Sequence, residues 1–308
     1  MSAEHRISVI IPCFRDSATL ARAIDSVIAQ TRSVDEIIVV NDCSPETALI
    51  EQVLSRYPDV VYVQNAVNLG LAATRNAGIS AATGDIVSFL DADDELHPQK
   101  IEFQLSQLRE NSAVSCAVEL IQCGLRRTAL PMFVTPGEVQ AVRNTRRMEF
   151  SNFLTGASLM VLKKLLQTVG SYDESLRSCE DFDMWLRLVE NGTTIFHLKT
   201  PLYFYYFNPS GLSKDPEKIS QWEIEVLKRH FKRKPYQLRS PLMESVIWAV
   251  WLFKHMLRAE SSSNQALRRQ ILENASALIP LRFFAWLVML LCRTRVALLY
   301  VRIRQCLH

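Results

Sequence analysis

The chain has 308 residues, 48% of them hydrophobic and 22% charged, which excludes a disordered polymer and leaves room for a full catalytic core plus an added segment. The formal net charge of +3 hides an uneven spread: residues 1–221 carry 20 Lys/Arg against 27 Asp/Glu, whereas residues 222–308 carry 15 against 5. A basic, apolar tail behind an acidic body points to anionic lipid or nucleic acid as the tail's neighbour. Seven cysteines with no Cys-x-x-Cys pair argue against a zinc site or a disulfide framework and fit a reducing compartment. The first strand-like run starts at Ile7, which leaves no room for a signal peptide.

In chain order, residues 7–11 are a β-branched apolar run ending at Pro12 and read as a strand buried on both faces. Ser17 is placed to cap a helix that carries Leu20, Ile24, Val27 and Ile28 on one face. Residues 36–40 form a second strand, closed by the turn-rich Asn41-Asp42-Cys43-Ser44-Pro45. A short helix through Val53 and Leu54 leads to a third strand over 60–63, and a helix over 71–82 is closed by Gly84 as its C-cap. The fourth strand, 86–90, ends in Asp91-Ala92-Asp93-Asp94. Strands alternating with helices predict a parallel sheet covered by helices on both faces. Ligands bind at the carboxyl edge of such sheets, so residues 12–15, 41–44 and 91–94 should line one crevice.

Beyond residue 100 the pattern predicts a helix over 101–108, a strand over 114–121 and loops over the Arg-, Thr- and Pro-rich stretch 126–147. Residues 180–190 form an amphipathic helix with Trp185, Leu186, Leu188 and Val189 available for burial, followed by strands over 193–198 and 202–207. From Gln221 the character is helical. Residues 278–292 are strongly apolar but contain Arg282, and Arg293 and Arg295 follow at once. That run is too short and too interrupted for a membrane span. Two readings stand: an interfacial helix with Phe284 and Trp286 in the acyl boundary, or a helical subdomain packed on the core or on a second subunit.

Asp91 and Asp93 close a strand one residue apart. Hard divalent cations take carboxylate oxygens and leave positions open for phosphate and water, so two such acids can serve a metal and a ribose together. An acidic surface turn has the same composition, but these acids sit on the ligand edge with Asp42 on a neighbouring strand end.

The ordered motifs Ser8-Val9-Ile10-Ile11-Pro12-Cys13-Phe14, Glu36-Ile37-Ile38-Val39-Val40-Asn41-Asp42-Cys43-Ser44, Asn68-Leu69-Gly70, Arg75-Asn76-Ala77-Gly78, Gly84-Asp85, Asp91-Ala92-Asp93-Asp94 and Glu180-Asp181-Phe182-Asp183-Met184-Trp185-Leu186-Arg187 resemble glycosyltransferase family 2 over about residues 6–213. The resemblance implies a GT-A fold, an α/β architecture with a mostly parallel, Rossmann-like sheet flanked by helices. It divides the GT-A region into a nucleotide-sugar-binding half (1–100) and an acceptor-binding and catalytic half (101–220); the basic, apolar helical C-terminal region (221–308) lies outside the resemblance. It implies single-sugar transfer from a UDP- or dTDP-sugar to a hydroxyl acceptor with inversion, assisted by Mn2+ or Mg2+.

Carried over residue by residue, the resemblance sets Pro12 and Phe14 beside the base, Asp42 in a hydrogen bond to it, and Arg75 near the phosphates. Asp91 would sit by ribose and metal, Asp93 would ligate the metal, and Asp181 would be the general base, with Glu180 and Asp183 orienting it or capping the helix. Two departures stand out: Asn41 replaces an expected aspartate, and Tyr205-Tyr206-Phe207-Asn208 lacks the usual Arg and His. The implied acceptor is a lipid-linked or cell-surface glycan precursor, the location the cytoplasmic face of a membrane, and no nucleic acid is expected. The missing Gln-x-x-Arg-Trp signature argues against processive synthesis, and the missing Gly-rich phosphate loop against nucleotidyl transfer. The alternative is a catalytically silent, membrane-associated nucleotide-sugar binder.

Overall fold

The computed structural model describes residues 5–122, 125–126, 135, 137–208, 215–235 and 240–261. The chain divides into two compact units, one of Met1–Thr145 with Phe153–Pro209 and one of Arg146–Asn152 with Ser210–His308.

The first unit is built on a ten-stranded sheet. Its elements in chain order are β1 (Ile7–Cys13), α1 (Ser17–Ile28), β2 (Glu36–Asn41), α2 (Thr47–Leu54), β3 (Val61–Gln64), α3 (Leu71–Ala81), β4 (Ile86–Phe89), β5 (Glu95–Leu96), α4 (Lys100–Gln107), β6 (Ser112–Gln122), β7 (Leu125–Arg126), β8 (Val139–Val142), a 3-10 turn (Gly156–Ser158), β9 (Met160–Leu162), α6 (Lys163–Thr168), α7 (Glu180–Glu190) and β10 (Thr194–Tyr206). A further helix, α5 (Arg146–Phe150), belongs to the second unit.

The strand order is β3-β2-β1-β4-β9-β6-β10-β5. The first four strands pair in parallel, with Ile10 level with Ile38 on one side and with Phe89 on the other. β1 and β4 are buried along their whole length, as continuous apolar runs require. Register then carries Cys13 level with Asn41, so the polar turns after β1, β2 and β4 open at one edge. The parallel pattern stops at β9, which lies antiparallel between β4 and β6; β6 and β10 are parallel again. The acidic turn 91–94 leads from β4 into β5, which pairs antiparallel with β10.

Four sequence readings are corrected. The segments 193–198 and 202–207 are one strand, β10, whose register against β6 shifts on both sides of Pro201. Proline cannot donate to the ladder and is accommodated at such irregularities. The stretch 126–147 is not all loop: β8 pairs with β10 over Val139–Val142. Ser17 is the first residue of α1 and Asp16 its N-cap; the Ser17 hydroxyl donates to Glu46 Oε2 at 2.6 Å instead. Gly84 is not a helix cap: α3 ends at Ala81, and Gly84 lies where a Cβ would meet the Arg6 and Ser8 backbone.

The second unit packs α5 with α9 (Pro241–Ser261) and α9 with α8 (Pro216–Arg233). Asp215 caps α8 by accepting from the Glu217 and Lys218 amides, both at 3.1 Å, with Pro216 at the favoured first position. Its core combines Phe231, Trp248 and Trp251 with two buried acid–base pairs, Glu149–His230 at 3.0 Å and Glu223–His255 at 2.9 Å. Among the described residues no helix is long and apolar enough to cross a membrane. The apolar run 278–292 and Trp286 lie outside the described residues.

Helix α3 lies close enough to β1 and β2 that a Cβ at Gly78 would run into the Ile10 side chain and stand 3.2 Å from Val40 Cγ2. Gly78→Ala is therefore expected to lower stability by about 1–3 kcal/mol through overpacking, although alanine favours helix. A lower denaturation midpoint at constant slope reports it; an unchanged or higher midpoint would show that α3 can lift from the sheet.

Candidate active site

Among the described residues, three of the four non-glycine residues with positive φ, Arg15 (62°), Cys43 (52°) and Cys179 (59°), stand directly beside the expected site residues Phe14, Asp42 and the acidic start of α7. Such conformations are held only where the surroundings over-determine them, and they cluster at ligand sites.

Pro12 is buried in β1 opposite Val40. Phe14 follows, half-buried, with the Arg15 guanidinium 5.2 Å from its ring centre. Asp42 is buried and its carboxylate is a clamp: Oδ1 accepts from Asn65 Nδ2 at 2.8 Å and from the Leu69 amide at 2.9 Å, and Oδ2 accepts from the Gly70 amide at 2.8 Å. A carboxylate has about four acceptor positions, so one remains for a ligand. Gly70, at φ 90°, is the N-cap of α3 and turns the chain in a region that side chains rarely enter. Asn41 closes its own turn, accepting from the Ser44 amide at 2.9 Å and donating to Thr47 and Tyr62 at 2.8 Å each. The asparagine thus ties its turn to α2 and β3.

Arg75 was expected near phosphates. It is 2% exposed, and its guanidinium bridges two acids, reaching Glu180 Oε1 at 2.5 Å and Asp91 Oδ1 at 3.0 Å. Its carbon lies 5.5 Å from the centre of the Tyr172 ring. In this structure Arg75 is a clamp between carboxylates rather than an open anion contact. It brings the end of β4 and the start of α7 within one side chain of each other, although they are some ninety residues apart in sequence.

The acidic turn is held by groups to which no role was assigned from sequence. Tyr203 Oη accepts from the Asp91 amide at 3.2 Å and donates to Asp94 Oδ2 at 2.7 Å, while the Tyr206 amide donates to Asp94 Oδ1 at 2.8 Å. Burial, then the charges of Asp91 and Asp93, push the Asp94 carboxyl up to about 8, so Asp94 is an anchor of the turn. Arg22 of α1 donates to the Asp93 carbonyl at 2.5 Å, pairs with Glu95 at 3.1 Å and lies 3.7 Å from the Tyr206 ring centre. Asn208 Nδ2 donates to Asp93 Oδ2 at 3.3 Å, so the residue standing where Arg or His was expected does reach the acidic turn. Arg22 shows in the sequence only as a helix arginine, and Tyr203 only as one aromatic among several.

Asp91 and Asp93 suit a hard cation. Burial and the neighbouring Asp91 charge raise the Asp93 carboxyl above its ordinary value, and burial followed by the Asp93 charge pushes Asp16 up to about 6. Mutual repulsion of this kind is relieved by a counter-cation. Among the described residues no three His, Cys, Asp or Glu side chains converge as a complete metal cage, so remaining ligands would come from substrate and water, as is usual for Mg2+ at phosphate sites.

At the start of α7 the three acids separate by partner. Glu180 is taken by Arg75, and Asp183 is buried and paired with Arg187 Nε at 2.7 Å. Asp181 is half-buried and makes no ion pair among the described residues; its Oδ1 accepts the Phe182 amide at 2.7 Å. Burial first, then the Glu180 charge, push its carboxyl up to about 7. Trp185 is fully buried, a core residue and not a sugar platform.

A model described as glycosyl transferase family 2 matches residues 8–169, ending before Asp181. An uncharacterized glycosyltransferase of Haemophilus influenzae is 29% identical over 238 residues, covering 76% of this chain and 80% of that protein. One of Rickettsia typhi is 30% identical over 200 residues, 62% of this chain and 60% of its own length. The fold is similar to S. aureus TarS 1–349, solved in complex with UDP-GlcNAc (TM-score 0.59, 19% identity, 96% of this chain and 92% of that one) and with UDP (TM-score 0.55, 19% identity, 96% and 91%).

Arg75→Met strands Glu180 as an unpaired buried carboxylate. The expected loss is about 3–5 kcal/mol of stability, measured by denaturant unfolding. Adding Glu180→Met should recover most of it; a double variant no better than the single would show that the pair does not act as a unit.

Proposed function

This chain belongs to glycosyl transferase family 2, and from that premise we propose that it moves one sugar from a UDP- or dTDP-sugar to a hydroxyl acceptor with inversion, assisted by Mn2+ or Mg2+. The observation that carries the reading is the Arg75 bridge, because it holds the Asp91–Asp93 turn beside the half-buried, unpaired Asp181. Donor-side acids and a base on adjoining elements are what a single displacement requires.

Asp42 keeps one acceptor position, which suits the imide N–H of uracil or thymine. Pro12 and Phe14 form the wall beside the base. The similarity to TarS, solved with UDP and UDP-GlcNAc, supports a uridine donor. Asp93 and Asp91 would hold the cation. A bound divalent cation supplies counter-charge to the leaving diphosphate. Arg75 acts by holding Asp91 and the start of α7 in register.

Asp181 takes the proton from the acceptor hydroxyl as the new glycosidic bond forms. A carboxyl raised to about 7 is a stronger base than an ordinary aspartate and is still ionised in a good fraction near neutral pH. The acceptor is a glycan or lipid-linked precursor in cell-surface polysaccharide or glycolipid assembly. The net +10 of residues 222–308 supports peripheral attachment to the anionic cytoplasmic face of a membrane.

Asp181→Asn is expected to keep the fold and donor affinity while lowering turnover about 10²–10⁴-fold. In the unaltered protein turnover should rise with pH through about 7 as Asp181 ionises, and the variant should lose that limb. Near-normal turnover in Asp181→Asn, with loss in Glu180→Gln, would assign the base to the other carboxylate.

A further inference from the structure

The contact that sets where Asp181 stands comes from a glycine. A Cβ on Gly156 would lie 2.7 Å from Asp181 Oδ2, 2.8 Å from its Cβ and 3.1 Å from its Cγ; the first two are closer than packed side chains come, and the third is tight. The 3-10 turn Gly156–Ser158 is fully buried, so backbone, not solvent, forms the wall behind this carboxylate. With Oδ1 fixed by the Phe182 amide at 2.7 Å and Oδ2 against Gly156, both oxygens are located.

The turn is itself anchored from the interior. Gln104 Nε2 donates to the Ser158 carbonyl at 2.7 Å and to the Val114 carbonyl at 3.0 Å. Ser88 Oγ donates to the Leu159 carbonyl at 3.2 Å, and Lys100 Nζ donates to Ser88 Oγ at 2.9 Å and to Gln104 Oε1 at 2.7 Å. Ser88, Lys100, Gln104 and Ser158 are all fully buried. A lysine at such a place, with no acid partner among the described residues and its amine lowered to about 8 by burial, is expensive to keep. Its two acceptors, Ser88 of β4 and Gln104, reach in turn the Leu159 and Ser158 carbonyls in the segment behind Asp181.

We infer that Gly156 is a positioning residue for the proton transfer: its missing side chain sets the place of the Asp181 carboxylate, and the buried Lys100–Gln104–Ser88 network holds it there. The inference rests on the reading of Asp181 as the base. A shift of about 1 Å in a reacting group can cost about 10²-fold, so the network needs to hold position within a fraction of that.

Gly156→Ala tests it. Turnover should fall at least tenfold while the calorimetric affinity for UDP changes less than twofold. In an Asp181→Asn background the same substitution should cost nothing further, because residues acting through one group are not additive. Full turnover in Gly156→Ala, or a loss that multiplies with that of Asp181→Asn, would overturn the inference. Should Gly156→Ala fail to fold, Gln104→Met, which loosens the turn without touching Asp181, is expected to give the same non-additive pattern, and an additive loss there overturns it equally. Unchanged turnover in Asp181→Asn alone is a separate result: it removes the base assignment, and the inference with it.

Discussion

A single guanidinium, buried between two carboxylates, governs the arrangement of this site. Arg75 projects from α3 and satisfies Asp91 at the end of β4 and Glu180 at the start of α7. A buried ion pair gives little net stability, because desolvation consumes most of the Coulomb attraction. What it does impose is geometry, since any shift of α7 against β4 leaves a charge without its partner in a medium of low dielectric. The backbone of the unpaired Asp181 inherits its position from that constraint, being next to Glu180 on the same helix start, while Gly156 sets where its carboxylate lies.

The donor side shows the same economy. Asp42 ties the end of β2 to Asn65 and to the Leu69-Gly70 turn, which fixes the start of α3 and with it the root of Arg75. Asp94 and Arg22 tie the acidic turn to β10 and α1. Strain at Arg15, Cys43 and Cys179 is tolerated where these ties meet. Clamp and ligand roles are thus shared within single motifs: Asp94 anchors the turn in which Asp93 is left available, and Asp183 is spent on Arg187 where Asp181 is not.

Much of the first hundred residues was legible from local pattern. Runs buried on both faces announce β1, β2 and β4, and their polar ends announce the ligand edge. The acids Asp42, Asp91, Asp93 and Asp181 do gather around one α3-to-α7 framework. What local pattern does not carry is partnership at long range. Arg75, set near the phosphates by the resemblance, is instead claimed by Glu180, 105 positions away. β9 is three residues long, too short to show a period, yet it interrupts the parallel sheet. Pro201 splits β10 by eye and not in space. Gly156 carries no signal at all, because its importance is the absence of a side chain facing a residue twenty-five positions on.

The central claim is that these strand-end acids and Asp42 form one cation-assisted site for a uridine diphosphate donor. Calorimetric titration of the full chain with UDP and with CDP, each with Mn2+ and with excess EDTA, tests it most directly. The account predicts that UDP binds best with Mn2+, loses at least tenfold in affinity in EDTA, and outcompetes CDP, whose base lacks the imide N–H that Asp42 would accept. Equal affinity for UDP and CDP, with no response to EDTA, would contradict it.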